Sequence, residues 1–403
     1  MSRAARAIGL ALLVVAALLA PPAAAAGAEG ARILVMLRLA PPHFRAGSSY
    51  GGGYGEDGSA AGRRRIAATV ARRNGLRLVG NWPMPMIGVD CFILEVPAGR
   101  SADAAAAAVA KDAAVEWSEA ITRFEAQGRT TAQARPNDPL YPAQPVTRRW
   151  HLTALHRLAT GRGVRIAVID SKVDERHPDL AGQVSLARDF TGDPAVAAEN
   201  HGTGIAGVIA ARADNGMGIV GVAPAAKLLA LRACRQEGGG PAAPTACDSL
   251  SLARAVSFAV EQRADVINLS LSGPPSRLLE TLLRAGIDRG AMVVAAVDPK
   301  LAGGGFPASM PGVVAVAEAP MGSAYVAPGR DIPTTQPGGR WYLVNGSSYA
   351  AAEVSGLLAL RRERDAKPGR RAMPVSARPG GGEIDACATV VGKGTCATEG
   401  MAP

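Results

Sequence analysis

Five short, almost wholly apolar runs constrain this chain more than anything else in it. They are "GVRIAVID", "AKLLALRAC", "ADVINLSLSG", "AMVVAAV" and "GVVAVAEA", all lying after about Leu152. None alternates apolar with polar residues. A strand that is apolar on both sides is buried on both faces, which demands a parallel sheet covered by helices. Helical stretches alternate with the runs at Thr203 to Ala213, Ser249 to Gln262 and Ser276 to Arg289. The expected fold is therefore α/β, and such sheets place their chemistry at the carboxyl ends of their strands.

The chain of 403 residues is too long for one ordinary domain. Ahead of the apolar runs lies a different texture. "RILVMLRL" reads as a strand, followed by a glycine-rich loop from Gly47 to Gly62 and a basic helix from about Arg63 to Asn74. Then come "LRLVGNW", "GVDCFILEVP", an alanine-rich helix from Ser101 to about Ala114, and "EWSEAITRFE". The order β-α-β-β-α-β is the split βαβ, ferredoxin-like pattern of a small α+β domain. The polar stretch "AQGRTTAQARPNDPLYP" reads as an exposed linker, and the Pro/Gly-rich tail after Glu363 carries no clear regular structure beyond a hairpin around its two cysteines. The expected divisions are 1–26, 30–127, 128–150, 151–364 and 365–403.

The first of these is a leader. Arg3 and Arg6 precede "GLALLVVAALLA" and "PPAAAAGAEG", the basic, apolar and small-residue regions of a secretory signal peptide, with cleavage expected near Ala26. The apolar run is short for a membrane span, and nothing downstream reads as transmembrane, so no stable membrane insertion is expected. The product is expected to be exported, either secreted or periplasmic. Its net charge of +10 comes from scattered arginines without an aromatic-and-basic constellation, since aromatics make up only 4% of the chain. That argues for a solvated basic surface and against nucleic-acid binding.

Export permits disulfides, and there are five cysteines. Cys234 and Cys247 bracket a Gly/Pro-rich insertion, and Cys387 and Cys396 bracket a short polar segment, spacings that suit local pairing within each couple. Cys91, inside an apolar run, reads as a buried thiol. No Cys/His spacing fits a structural zinc site, and no metal ligands are assigned.

Three polar residues stand where a buried sheet would put chemistry. Asp170 ends the run "VRIAVID", His201 opens "HGTGIAGVIAA", and Ser348 sits where "NGSS" passes into a helix. Each has an ordinary structural reading: a strand-end turn, a helix-start histidine, an N-cap. Together, in the order Asp, His, Ser and on one parallel-sheet domain, they form a constellation for nucleophilic catalysis.

The segments "VIDSKVDERHPDL", "HGTGIAGVIAA" and "NGSSYAAAEVSG" resemble the aspartate, histidine and serine segments of the subtilisin-like serine proteases, the subtilases. "VINLSLSGP" resembles the family's substrate-holding edge strand and implies substrate contacts at Ser270, Leu271, Ser272 and Gly273. The β-α-β-β-α-β unit looks like the family's propeptide, which acts as chaperone and inhibitor, and "NDPLYPAQ" like the entry to the catalytic domain. The resemblance implies a subtilisin-like sheet flanked by helices and an endopeptidase made as an inhibited precursor, with polypeptide substrates and its own propeptide as partners. The processing point is expected between Phe124 and Asp138. Calcium is admitted by the resemblance alone.

The resemblance breaks at the oxyanion site. The family places an asparagine after a buried strand, in a sequence like "AAAGN", whereas this chain reads "VVAAVDPK". Straight alignment puts Pro299 there, which has neither side-chain nor backbone donor. A one-residue slip puts Asp298 there, which donates only when protonated and which is also a candidate for favouring basic substrate side chains. Lys172, Gly204, Ala352 and Glu353 also depart from the family pattern. A second reading follows from these breaks: a pseudoprotease that holds peptides along "SLSGP" without cutting them.

Overall fold

The computed structural model describes residues 31–38, 56–126, 129–131, 140–193, 197–238, 243–365, 375–377 and 382–392. The leader and Cys396 lie outside the described residues. The chain divides into two compact units, one of residues up to Trp82 with Asp90–Ala120, the other of Pro83–Val89 with everything from Ile121 onward.

The first unit contains β1 (Arg32–Arg38), α1 (Glu56–Arg73), β2 (Arg77–Met84), β3 (Val89–Glu95), α2 (Ala102–Val109) and β4 (Trp117–Ala120). Its sheet runs in the order β2-β3-β1-β4, with β1 antiparallel to β4. That is the order of a split βαβ unit, with the two halves interleaved. One sheet face packs on both helices around Ile33, Val35, Val70, Phe92, Leu94 and Val109. Cys91 lies buried in β3. Helix α1 begins at Glu56, earlier than the basic run alone suggests. The run "EWSEAITRFE" is not one strand: β4 ends at Ala120, and the chain beyond Ile121 belongs to the second unit.

The second unit opens with β5 (Arg123–Ala126) and β6 (Arg129–Thr131), then short helices α3 (Pro145–Arg149) and α4 (Leu152–His156). Next come β7 (Arg165–Asp170), β8 (Val184–Asp189), α5 (Asn200–Ala210), β9 (Lys227–Arg232), β10 (Cys234–Gln236) and β11 (Thr245–Asp248). Helix α6 (Ser249–Glu261), β12 (Val266–Leu269), β13 (Leu271–Ser272), α7 (Arg277–Asp288), β14 (Met292–Ala296) and β15 (Val314–Ala317) follow. The last elements are β16 (Tyr325–Val326), β17 (Ile332–Gln336), β18 (Arg340–Asn345), α8 (Ser347–Arg364) and α9 (Ala386–Val391).

The apolar runs form a seven-stranded sheet in the order β16-β15-β14-β12-β7-β9-β8, parallel throughout. Two smaller antiparallel sheets flank it, β10-β11-β5-β13 and β17-β18-β6. The stretch expected as exposed linker thus contributes β6, while residues 132–139 lie outside the described residues. Cys234 and Cys247 are directly opposed in β10 and β11 and are bonded to each other.

Helix α8 is the axis of this unit. Its first fifteen residues, Ser347 to Arg361, are all buried, and it packs on α5, β12, β14 and β15. Its sequence is alanine- and leucine-rich, good helix formers small enough for close packing. Gly346 precedes it with φ 137°, in the region that favours glycine, so the chain turns sharply from β18 into the helix. At the far end, Glu363 Oε2 accepts the backbone N–H groups of Thr160, Gly161 and Arg162 at 2.7, 2.7 and 3.0 Å. The tail is more ordered than its composition suggests. Helix α9 packs on α8, Arg361 Nη1 donates to the Thr389 carbonyl at 2.9 Å, and Cys387 is disulfide-bonded. Among the described residues no helix is long and apolar enough to cross a membrane.

Two outcomes follow from α8. Removing the three-fold acceptor in Glu363→Ala strands three turn amides, two of them in part-buried bonds, and should lower unfolding free energy by about 2 kcal/mol in a urea titration. Glu353 is 1% exposed, its Oε2 has no hydrogen-bond partner, and burial raises its pKa well above the ordinary carboxylate value. Above about pH 4 the unfolded chain has released this proton while the folded chain keeps it. Stability must therefore fall as pH rises toward the raised value, and Glu353→Gln should flatten that decline in denaturation midpoints measured from pH 5 to 8.

Candidate active site

The carboxyl end of β7 and the amino end of α5 meet closely, and that meeting places two of the three expected residues. A Cβ on Gly202 would stand 2.2 Å from the Ser171 carbonyl oxygen, so only glycine allows the approach. The Gly202 N–H donates to Ser171 Oγ at 3.0 Å, and Asp174 N–H donates to Thr203 Oγ1 at 2.9 Å. His201 is thereby held beside Asp170. Its Nδ1 donates to Asp170 Oδ1 at 2.8 Å, and the same oxygen accepts the Ser171 N–H at 2.7 Å. Asp170 is 1% and His201 6% exposed. An ionised carboxylate only accepts, so Nδ1 carries the ring proton and Nε2 presents a lone pair. That Nε2 is buried and has no hydrogen-bond partner. The imidazole rests against the Tyr349 ring, with centroids 5.7 Å apart.

Ser348 lies fully buried in the first turn of α8. Its hydroxyl does not meet the imidazole. It donates to the Ser270 carbonyl at 2.9 Å, while Ser270 Oγ donates back to the Ser348 carbonyl at 2.8 Å. The Ser348 hydroxyl and His201 Nε2 are thus not hydrogen-bonded to each other in this structure. Turning the hydroxyl to another acceptor means giving up this reciprocal pair. Behind the pair, Asn268 Nδ2 donates to Ser270 Oγ at 3.0 Å and Ser355 Oγ donates to Asn268 Oδ1 at 2.8 Å. Strand β12 and helix α8 are thus tied together under the serine.

The Tyr349 and Ala350 N–H groups both turn to the Gly346 carbonyl. The amides ahead of them, on Ser347 and Ser348, have no acceptor within the helix and stand at its positive end. Neither Asp298 nor Pro299 adds a donor. Pro299 is exposed, and the Asp298 carboxylate accepts the Lys300 N–H at 2.9 Å in a tight turn of its own. Pro299 presents no donor, and the Asp298 carboxylate is occupied as an acceptor.

Ser270 to Gly273 lie along one wall of a groove that the chain itself fills. Strand β5 runs antiparallel between β11 and β13, with Phe124 opposite Cys247, Glu125 opposite both Ala246 and Ser272, and Ala126 opposite Leu271. Phe124 is fully buried, its ring 6.1 Å from that of Phe306 and packed where a side chain on Gly273 would sit. Next to it is a cavity of about 480 Å³ lined by Ser272, Pro274, Asp298, Leu301 and Phe306. Strand β6 then pairs with β18, Arg129 opposite Asn345, and β18 leads through Gly346 into Ser348. The chain thus flanks the serine on both sides, with Gln127 and Gly128 between and outside the described residues. Sequence patterning did not single out β5 as a groove strand. The one signal was the Cys234–Cys247 couple, which marked the hairpin that walls it.

Among the described residues no group of three or more His, Cys, Asp or Glu could hold a metal. The fully buried Asp179 carboxylate already accepts from Asn215 Nδ2, the Ile219 N–H and Trp341 Nε1. Its acceptor oxygens are satisfied by these three donors, and no step is assigned to calcium.

Comparison with known proteins bears on this geometry. Subtilisin E of Bacillus subtilis (strain 168) is 36% identical over 228 residues, covering 51% of this chain and 58% of that protein. The thermophilic serine proteinase of Bacillus sp. (strain AK1) is 39% identical over 215 residues, covering 49% and 52%. The chain therefore spans somewhat over half the length of these relatives. The crystal structure of fervidolysin from Fervidobacterium pennivorans, described as a keratinolytic enzyme related to subtilisin, superposes with a TM-score of 0.64. It covers 90% of this chain and 61% of that one at 21% identity, a likeness of fold. The subtilase family model matches residues 161–373, which span β7 with Asp170, α5 with His201 and α8 with Ser348, and this chain belongs to the subtilase family.

Proposed function

We propose that the chain is the precursor of an exported serine endopeptidase that hydrolyses polypeptides through Asp170, His201 and Ser348. The observation that carries this reading is the buried Asp170–His201 hydrogen bond, which leaves a bare Nε2 lone pair beside a serine at a helix amino end. With a peptide carbonyl in place, the Ser348 hydroxyl rotates from Ser270 to Nε2. Its oxygen attacks the carbonyl carbon as the proton passes to His201, and Asp170 stabilises the imidazolium that forms. The proton then goes to the leaving amine, and water releases the acyl group by the reverse sequence. The Ser348 N–H serves the oxyanion. Without a donor from Asp298 or Pro299, turnover should be slow: in subtilisin itself, loss of the equivalent donor costs roughly 3–4 kcal/mol, about a hundred- to a thousandfold.

Residues 30–127 act on this reading as chaperone and inhibitor. Strand β5 supports it, because an extended segment of the chain holds the groove that a substrate would need. The leader-like start and the Cys234–Cys247 bridge favour an oxidising, extracytoplasmic destination. A second reading, a peptide-holding pseudoprotease, draws on the donor-less turn at Asp298 and Pro299 and on the hydroxyl held by Ser270.

Processing separates the two. Purified wild-type precursor should cut itself between Ala126 and Arg129, the gap between β5 and β6, giving a new N-terminus at Gln127, Gly128 or Arg129 by N-terminal sequencing. Ser348→Ala should stay full length. A fluorophosphonate should label Ser348 in the wild type. Equal behaviour of wild type and variant in both assays favours the scaffold and defeats the protease.

A further inference from the structure

The groove strand carries an interaction that goes beyond its backbone pairing. Arg123 lies one residue before Phe124 and opposite Asp248. Its guanidinium reaches sideways to Glu237, Nη1 to Oε1 at 2.8 Å and Nη2 to Oε2 at 2.6 Å, a two-bond fork. Glu125 on the same strand is a poorer alternative, 3.8 Å from Arg123 Nε.

The Glu237 backbone is tied into the hairpin independently of Arg123. It follows β10 directly, and its N–H donates to the Pro244 carbonyl at 2.7 Å, closing the hairpin where Gln236 pairs with Thr245. At the other end of that two-strand ribbon the Cys234–Cys247 bridge fastens β10 to β11. A carboxylate on a braced hairpin loses little freedom on forming a planar two-bond contact, and guanidinium suits that geometry where ammonium does not. Asp298, the sequence's own candidate for attracting basic side chains, instead caps the turn at Lys300.

Resting on the reading of the groove as a substrate site, we propose that Glu237 is a specificity-determining residue. It selects polypeptides with an arginine immediately before the bulky side chain that packs against Phe306. Arg123 is the resident example of that pattern, and any substrate displacing β5 meets the same carboxylate. Because the pair is half exposed, the selection is graded and not absolute.

The test uses the self-processed product and two quenched fluorescent peptides, Arg-Phe-Glu-Ala-Gln-Gly-Arg-Thr, which is the chain's own sequence from Arg123 to Thr130, and its counterpart with Glu in first place. Wild type should favour the first by about three- to fivefold in kcat/KM, expressed mainly in KM, and about 0.5 M salt should erase most of the difference. Glu237→Arg should reverse the order and Glu237→Gln should level it. Cleavage of the Glu peptide by Glu237→Arg also reports that this variant is folded. Equal cleavage of both peptides by wild type, or an unchanged order in both variants, overturns the assignment while leaving proteolysis standing. Cleavage of neither peptide by wild type removes the protease reading on which the assignment rests.

Discussion

The contact between Asp170 and His201 is the constraint around which the second unit is arranged. A carboxylate and an imidazole, both almost fully buried, share one hydrogen bond there between Nδ1 and Oδ1, while Oδ2 and Nε2 stay without partners. To bring them together, α5 must sit nearly in contact with the end of β7, and any side chain at position 202 would forbid it. The parallel sheet supplies the strand end, the small residues of "HGTG" supply the approach, and α8 completes the enclosure with the Tyr349 ring. Packing and chemistry here are one problem solved by the same residues.

The opposite balance holds at Glu353. Its carboxyl group sits in the same helix as Ser348 with an oxygen left without a partner, and burial keeps it protonated. A neutral acid in a close-packed helix contributes little that a neutral amide would not. Nothing in the structure explains why this position carries an acid. The buried Asp170 also has one oxygen without a partner, but its other oxygen accepts from both His201 Nδ1 and the Ser171 N–H.

Much of this was legible in the sequence because burial on both faces leaves an unmistakable texture. The runs ending at Asp170, at Leu269 and at Ala296 could only be central parallel strands, and the order of the three chemical residues followed from them. What was not legible depended on competition between partners that patterning does not weigh. The Ser348 hydroxyl is taken by the Ser270 carbonyl, and His201 Nε2 is left without a partner. "EWSEAITRFE" reads as one strand because strand propensity says nothing about which sheet receives each half. "RTT" looked like linker because three polar residues become a strand only when β18 offers an edge. The turn at Asp298 was anticipated as a break from the family pattern, but not the Asx-type capping that occupies its carboxylate.

Strand β5 has a consequence for how such a molecule must be stored. It completes a four-stranded sheet by joining β11 to β13, which otherwise have no direct ladder between them. Once it departs, two rows of amide and carbonyl groups face each other across an empty slot one strand wide. Water serves those groups, but so does any stretch of unfolded chain, including that of a neighbouring copy. An exposed strand edge is a template for pairing, and an unfilled slot presents two of them at once. Keeping the chain's own segment in the slot shields the fold against that pairing, whatever chemistry the molecule performs.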